Sequence, residues 1–244
     1  EIRQDSEIEW LYLNRPEKLN AINPEMCEEL QHYFHHLTKR TEVRVVIFSG
    51  KGNSFCAGYD LREATNITKG GPVKGIKFQR QVSEILLRMR RCPQPVICLA
   101  HGAATGGGLA FMLASDVRIL AENAKMNVAM AKIGLTGCDV GISYFLPRAV
   151  GHTIAAELMM TGRMISAKRA IGINLASEVV ELSNLESAGK KMAEDMLGVS
   201  PMGLRFTKEG LNMSLDSGSL ENVIALEDRG QILCASAGYF EEGI

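Results

Sequence analysis

Residues 100–111, "AHGAATGGGLAF", place three consecutive glycines between an apolar run typical of a buried strand and an apolar run typical of a helix. A glycine inside a helix or strand costs roughly 0.5–1 kcal/mol relative to alanine, so three in a row need a physical reason. The stretch therefore predicts a strand-to-helix turn whose backbone is approached too closely for side chains to fit.

A second turn, "SGKGNSFCAGYDLRE" at residues 49–63, has the same pattern: it follows a strand, bends at glycine and leads into a helix. The start of a helix exposes backbone N–H groups, and the helix dipole favours negative charge there. Two such turns on neighbouring strands could aim two N–H groups at one oxygen atom, which is the geometry of an oxyanion hole.

Other interpretations of the glycine run fit less well. It lacks the G-x-G-x-x-G pattern of a dinucleotide loop and the G-K-[ST] ending of a phosphate loop. Tight helix–sheet packing explains the spacing as well as anion stabilisation does, so both remain open at this point.

Composition bounds the class of protein. The chain has 244 residues, a formal net charge of -1, 46% hydrophobic and 23% charged residues, which is ordinary for a globular protein with a sizeable core. The charge gives no attraction for nucleic acid or anionic membrane, and no apolar run approaches the ~20 residues that span a bilayer. Six scattered cysteines without a C-x-x-C pair favour reduced thiols over disulfides or zinc. We expect a cytoplasmic protein; because the chain opens at Glu1, an organelle matrix stays open.

Hydrophobic periodicity predicts a β/α first part followed by a helical tail. Strands are predicted within residues 7–16, 43–50, 92–102 and 116–128, with a short break in the tail at 176–182. Helices are predicted at 23–40, 76–91, 107–115, 152–161, 166–172, 184–197, 201–214 and 219–235. Residues 64–75, "ATNITKGGPVKG", have the composition of a mobile loop.

Five motifs, in this order along the chain, resemble the crotonase family of enoyl-CoA hydratases and isomerases. They are "NRPEKLNAI" (14–22), "FCAGYDL" (55–61), the segment 93–126 that contains the glycine run, "FLPRAVG" (145–151) and the segment 157–180. The resemblance implies an α/β fold, a crotonase-like spiral of β-β-α units with a C-terminal α-helical trimerisation region. It implies a spiral core at residues 1–184, a helical region at 185–244, and a homotrimer or dimer of trimers.

The resemblance also implies an acyl-CoA thioester substrate whose carbonyl oxygen lies between two backbone N–H groups. Carried over by position, these belong to Tyr59 and to the middle glycine of the run, Gly107. Negative charge that forms on C2 of a thioester spreads onto this oxygen, and preorganised donors in a dry site lower the barrier to forming it.

Residues that bind coenzyme A follow from the same motifs. Ala57, Asp60 and Leu61 are expected beside the adenine, with Arg62 and Lys18 near the phosphates. Coenzyme A would be carried as part of the substrate, with no other cofactor and no metal. Family members usually continue beyond a tail such as "YFEEGI" with a segment that closes over the active site.

Two positions depart from the hydratase pattern. The resemblance places the two glutamates that handle water and proton in hydratases at Ala110 and Met130, and neither side chain can move a proton. Asp139 is the remaining carboxylate in a segment where other family members have a catalytic aspartate. It stands at the head of a predicted helix, so a helix N-cap is the alternative. As a catalyst it would have its pKa raised by apolar neighbours.

The sequence thus predicts an acyl-CoA enzyme that stabilises a thioester enolate, with double-bond isomerisation or hydration as its reaction. One carboxylate fits isomerisation better than hydration. A non-catalytic acyl-CoA-binding relative, or a CoA-thioester decarboxylase, hydrolase or dehalogenase, remains an alternative. RNA binding is disfavoured by the near-neutral charge and the absence of a lysine-rich element.

Overall fold

The β-branched runs of the sequence form a six-stranded sheet with the strand order β1-β2-β3-β4-β6-β9. The computed structural model describes residues 1–238, without the side chains of residue 64 and residues 66–68. β1 pairs antiparallel with β2, and the other neighbours are parallel. The strands are β1 (Ile2–Asp5), β2 (Ile8–Leu13), β3 (Val45–Gly50), β4 (Val96–Ala100), β6 (Val117–Ala121) and β9 (Glu178–Val180).

A second, three-stranded sheet stands beside the glycine run. Its strands are β5 (Ala103–Thr105), β7 (Lys125–Asn127) and β8 (Ile165–Ser166), in the order β5-β7-β8. β5 directly precedes the glycines and pairs parallel with β7, while β8 pairs antiparallel with β7. This small sheet therefore anchors the turn on one side.

Ten helices occur among the described residues, together with three short 3-10 turns that each lie between a strand and the next helix. The helices are α1 (Pro24–Leu37), α2 (Leu61–Thr68), α3 (Pro72–Arg91), α4 (Gly107–Ala114), α5 (Ile142–Val150), α6 (His152–Thr161), α7 (Ala167–Gly172), α8 (Leu185–Leu197), α9 (Pro201–Ser214) and α10 (Leu220–Ser236). No helix in this part of the chain is long and apolar enough to cross a membrane.

Two apolar clusters fill the space on either side of the main sheet. The larger packs α1, α3 and α4 against the sheet, and aromatic rings of Phe34, Phe48, Phe55 and Phe111 meet within it. The smaller joins the other face to α8. A methyl group on Gly189 of α8 would lie 2.6 Å from a Leu99 methyl, so this helix sits close against the sheet.

The structure confirms the predicted α/β core with its helical tail. The predicted strands appear as β2, β3, β4, β6 and β7, and the helices of the tail begin and end within two residues of their predicted bounds. The boundary between residues 184 and 185 stays a prediction. Residues 239–244 of the predicted helical region lie outside the described part of the chain. The expectation that a further segment follows the "YFEEGI" tail concerns these residues and is not tested.

The prediction of a mobile loop at residues 64–75 is wrong. The backbone there forms the end of α2 and the start of α3, separated by three residues. Gly71 adopts a left-handed φ of 87° as the N-cap of α3, and Pro72 occupies the first turn, where a missing N–H costs nothing. The glycines and the proline thus mark a helix boundary, which their composition alone does not distinguish from a loop.

Candidate active site

The two glycine turns predicted from the sequence meet at one edge of the main sheet. The turn after β3 runs alongside β5: Cys56 N–H donates to the Ala103 carbonyl at 2.8 Å, and Thr105 N–H donates to the Cys56 carbonyl at 3.0 Å. A side chain on Gly58 would begin 2.8 Å from the Thr105 carbonyl oxygen and 3.4 Å from the Gly107 nitrogen. The two backbones are therefore in direct contact.

Each glycine of the run meets a different requirement. Gly106 has φ 54° and ψ -116°, a conformation that only glycine adopts readily, and its N–H donates to the Asn127 carbonyl at 3.0 Å. A methyl on Gly107 would lie 2.6 Å from the Ile22 side chain, and one on Gly108 would lie 2.2 Å from the Cys56 carbonyl oxygen. Contact with backbone thus accounts for Gly108, while Gly107 is buried against the side chains of Ile22 and Tyr59.

The N–H groups of Tyr59 and Gly107 are both unused. Ile22 bonds to the residues on either side of Tyr59, accepting from Asp60 N–H at 2.9 Å and donating to the Gly58 carbonyl at 2.7 Å. Gly107 opens α4, where a helical N–H has no partner in its own helix. Within residues 1–238, neither N–H has an acceptor in hydrogen-bonding geometry. The two donors are available to a ligand oxygen.

The Tyr59 ring covers the start of α4. Its edge lies 3.1 Å from the position that a methyl on Gly107 would take, and its centroid is 5.9 Å from that of Phe78, edge to face. The phenol oxygen is buried without a hydrogen-bond partner among the described residues. Burial first, and the Asp139 charge second, raise the pKa of the phenol, while the neighbouring Gln79 amide opposes the rise. Tyr59 and Asp139 are thus neighbours.

Asp139 is half-buried in the segment before α5. Its carboxylate accepts a hydrogen bond from the Gln79 amide of α3. Burial raises the pKa of this carboxyl above its usual range, and the bonds from Gln79 and the Val140 backbone oppose that rise. The alternative role as a helix cap is wrong, because Gly141 is the N-cap of α5 and no side chain bonds to its first turn. The Asp139 side chain is left facing Tyr59.

The backbone next to Asp139 is strained. Val140 has φ 35°, a left-handed conformation that is unfavourable for a β-branched residue, and its side chain is buried. Such a conformation costs of order 1–3 kcal/mol and persists only where the surroundings enforce it, most often at functional sites. The strain supports a functional interpretation of this segment.

The two positions that resemble those of the hydratase glutamates lie inside the protein. Ala110 is fully buried in α4, and Met130 is buried in the 3-10 turn that follows β7. The Met130 sulfur packs 3.6 Å from the position of a side chain on Gly106. An apolar side chain therefore occupies the space beside the glycine run.

The residues expected to bind coenzyme A lie along one exposed rim of the same turn. The loop of Lys18 contacts Ala57, whose N–H donates to the Leu19 carbonyl at 3.0 Å, and Leu61 and Arg62 open α2 with exposed side chains. The Asp60 carboxylate accepts from the Arg62 N–H at 3.2 Å and pairs with Arg15 at 3.4 Å. These contacts bring the five residues together, and their role in binding stays a prediction.

Sequence reasoning missed three supporting residues. Ile22 positions Tyr59, Arg15 holds Asp60, and Gln79 holds Asp139 across 60 positions of the chain. The "NRPEKLNAI" motif contains the first two, so a signal existed for them, whereas Gln79 lies on a helix face with no motif.

Other chemistry at the turn is disfavoured. Burial raises the pKa of the Cys56 thiol to about 12, so it is not a thiolate near neutral pH. Among the residues that the structure describes, no three histidine, cysteine, aspartate or glutamate side chains are grouped to hold a metal ion.

Comparison with known proteins gives consistent matches over almost the whole chain. Residues 3–244 match the family model described as "Enoyl-CoA hydratase/isomerase". The chain is 35% identical to "Probable enoyl-CoA hydratase echA12" of Mycobacterium bovis (98% of this chain, 85% of that one). It is 31% identical to "1,2-epoxyphenylacetyl-CoA isomerase" of Escherichia coli (96% and 89%). The crystal structure of an enoyl-CoA hydratase from Polaromonas sp. JS666 superposes with TM-score 0.94 at 27% identity (100% and 94%), which confirms the predicted fold.

The contact between the turns predicts the effect of Gly108→Ala. The added methyl would lie 2.2 Å from the Cys56 carbonyl oxygen, which is backbone and cannot rotate away. We expect the free energy of unfolding, measured by urea denaturation, to fall by about 1–3 kcal/mol, as overpacked cores do. Gly172→Ala is the matched control, because no atom lies within 4 Å of its added methyl. Equal stability of the two variants would contradict the close contact.

Proposed function

This chain belongs to the enoyl-CoA hydratase/isomerase family and is an enzyme of the hydratase/isomerase type, and from that premise we propose which reaction its site supports. It acts on an acyl-CoA thioester, stabilises the thioester enolate with the N–H groups of Tyr59 and Gly107, and moves a proton with Asp139. The observation that carries the proposal is that the N–H groups of Tyr59 and Gly107 have no acceptor within residues 1–238, while the half-buried Asp139 carboxylate neighbours the Tyr59 phenol.

The two N–H groups would bind the thioester carbonyl oxygen. Removing a proton from C2 pushes an electron pair onto this oxygen, so the negative charge appears where the donors already point. The backbone contacts of Gly58 and Gly108 hold both donors in place before substrate arrives. Removing one such donor in other enzymes costs about 2.7–4 kcal/mol of transition-state stabilisation.

Asp139 would act as both base and acid. For a 3-enoyl-CoA, the carboxylate takes a proton from C2, and the resulting dienolate carries its charge on the thioester oxygen. The same carboxyl returns the proton to C4, so the double bond moves from C3 to C2 and no atom is gained or lost. Burial raises the pKa of Asp139, which brings it closer to neutrality and suits it to both transfers.

Isomerisation is favoured over hydration because Asp139 is the one carboxylate found for proton transfer among the positions considered. Hydration must both activate a water and protonate C2, and the positions that resemble the hydratase glutamates are Ala110 and Met130, both buried. Isomerisation needs one group that first accepts and then returns a proton. Curated relatives include both a hydratase and an isomerase by name. Their names therefore support the hydratase/isomerase class without distinguishing the two reactions.

The remaining assignments are part of the same proposal. The rim of Lys18, Ala57, Asp60, Leu61 and Arg62 holds coenzyme A, which arrives as part of the substrate, and the reaction needs no other cofactor. The homotrimer or dimer of trimers would use the C-terminal helices, where large apolar side chains are exposed: Leu211, Met213, Leu220, Ile232 and Leu233.

The first test is turnover of crotonyl-CoA, a 3-enoyl-CoA and a 3,5-dienoyl-CoA in D2O, followed by ultraviolet absorbance and mass. We expect the double bond of the 3-enoyl-CoA to migrate, with deuterium entering the acyl chain to the extent that the Asp139 carboxyl proton exchanges with D2O between the two transfers. Asp139→Asn should lower kcat/KM by about 10²- to 10⁴-fold, the usual contribution of a general acid or base. Asp195→Asn, on the exposed face of α8, is the matched control. Undiminished turnover by Asp139→Asn would exclude the proposed role.

Gln79→Leu tests the environment of Asp139. The amide donates to the carboxylate and so favours its charged form; removing it should raise the pKa of Asp139 further. Because the base must be deprotonated, the acid limb of the kcat/KM profile should move to higher pH. Gln81→Leu is the matched control, since two residues turn a helix by about 200°. An acid limb that stays in place, or moves to lower pH, would contradict Asp139 as the titrating base.

A further inference from the structure

The Tyr59 side chain carries a hydroxyl group that the proposed role of its backbone N–H does not require. Any residue except proline would supply the N–H at this position, so the proposed oxyanion hole does not explain a tyrosine. The phenol oxygen is nevertheless buried, and it has no hydrogen-bond partner within the described part of the chain. Buried hydroxyls are almost always bonded, so an orphan one in a site calls for an explanation.

The surroundings of the phenol are apolar with one polar side. The Phe78 ring packs edge to face with the Tyr59 ring, with centroids 5.9 Å apart. On the polar side, Asp139 is close enough to influence the phenol, and the Gln79 amide already donates to Asp139. The hydroxyl is thus placed near the carboxyl that would face the acyl chain, and no group of the described chain accepts its proton in hydrogen-bonding geometry.

The proton of the hydroxyl is the part that a ligand can satisfy. Burial and the Asp139 charge raise the pKa of the phenol, so it keeps its proton near neutral pH. A phenol can both donate and accept, but its proton can be taken only by an acceptor. A hydrocarbon acyl chain offers none, and placing one here would leave the donor unpaired in a dry site.

We propose that the Tyr59 phenol is a specificity determinant that donates a hydrogen bond to an oxygen on the acyl chain. The substrates of this enzyme are then acyl-CoA thioesters that carry an acceptor oxygen, such as an oxo, hydroxyl or ether group, a few bonds from the thioester. Unsubstituted fatty acyl chains fit the site less well. This inference rests on the proposed function, because it takes the thioester carbonyl to lie at Tyr59 and Gly107.

The test compares matched pairs of CoA esters by isothermal titration calorimetry. The pairs are 3-oxobutanoyl-CoA with butanoyl-CoA and 4-oxopentanoyl-CoA with pentanoyl-CoA. We expect the wild-type protein to bind at least one oxo ester about tenfold or more tightly than its partner, the size of one hydrogen bond in a dry site. Tyr59→Phe should reduce that ratio to about one. Tyr12→Phe, in which the hydroxyl lost is bonded to Glu186 at 3.1 Å, should retain it.

The outcomes separate this inference from the proposal that it rests on. If the protein binds the esters but shows no oxo preference, or if Tyr59→Phe keeps the preference, the role of the phenol is overturned and acyl-CoA binding stands. If no CoA ester binds, the proposed function fails and this inference fails with it.

The stability of the free protein gives a second, independent readout. A buried hydroxyl without a partner costs desolvation free energy, so Tyr59→Phe should keep or raise the wild-type melting temperature. A loss of several degrees would show that the hydroxyl is bonded within the protein, and the proposed bond to substrate would be overturned.

Discussion

The whole site depends on the close approach of two backbone segments, the turn that contains Cys56 and Gly58 and the turn that contains the glycine run. β3 and β4 are parallel neighbours, so both turns leave the same edge of the sheet. Contact with the Cys56 carbonyl excludes a side chain at Gly108, and contact with Thr105 excludes one at Gly58. Because the turns touch, the N–H groups of Tyr59 and Gly107, which have no acceptor within residues 1–238, lie in adjoining segments. Preorganisation of this kind requires no movement when charge develops, which is why it is effective in catalysis.

The proposed proton-transfer group comes from a different part of the chain. Asp139 lies before α5, whereas Gln79, which holds it, lies on α3, and the residue after Asp139, Val140, has a left-handed φ of 35°. Burial raises the pKa of the carboxyl, and a hydrogen bond lowers it, so the two effects oppose each other. The pKa of a carboxyl in this position can be changed by altering either its burial or its hydrogen bond. A surface aspartate has no such control, because water dominates its environment.

Features of the fold and the site that depend on residues close together in the sequence could be predicted, whereas contacts between distant residues could not. Strands such as Val45–Gly50 and the helices of the tail depend on local periodicity, and the sequence predicts them well. The glycine run indicates a close backbone approach without revealing what approaches, since packing and ligand binding leave the same signature. The error at residues 64–75 arises because glycine and proline serve loops and helix boundaries alike. Gln79 was unpredictable, because its contact with Asp139 depends on how α3 packs.

The features that sequence rules disfavour are concentrated in one place. Val140 has a left-handed backbone, and burial raises the pKa of the Asp139 carboxyl. Among the residues that the structure describes, the Tyr59 phenol and the N–H groups of Tyr59 and Gly107 have no partner. Each lowers the stability of the empty protein; for Asp139 the sign is definite, because a carboxyl whose pKa is raised by folding destabilises the folded state as the pH rises past its unfolded pKa. Sequences that fold well avoid such conflicts except where function requires them. A ligand with an oxygen at each donor would relieve several of these costs together, so the same groups that weaken the empty fold would give binding its specificity.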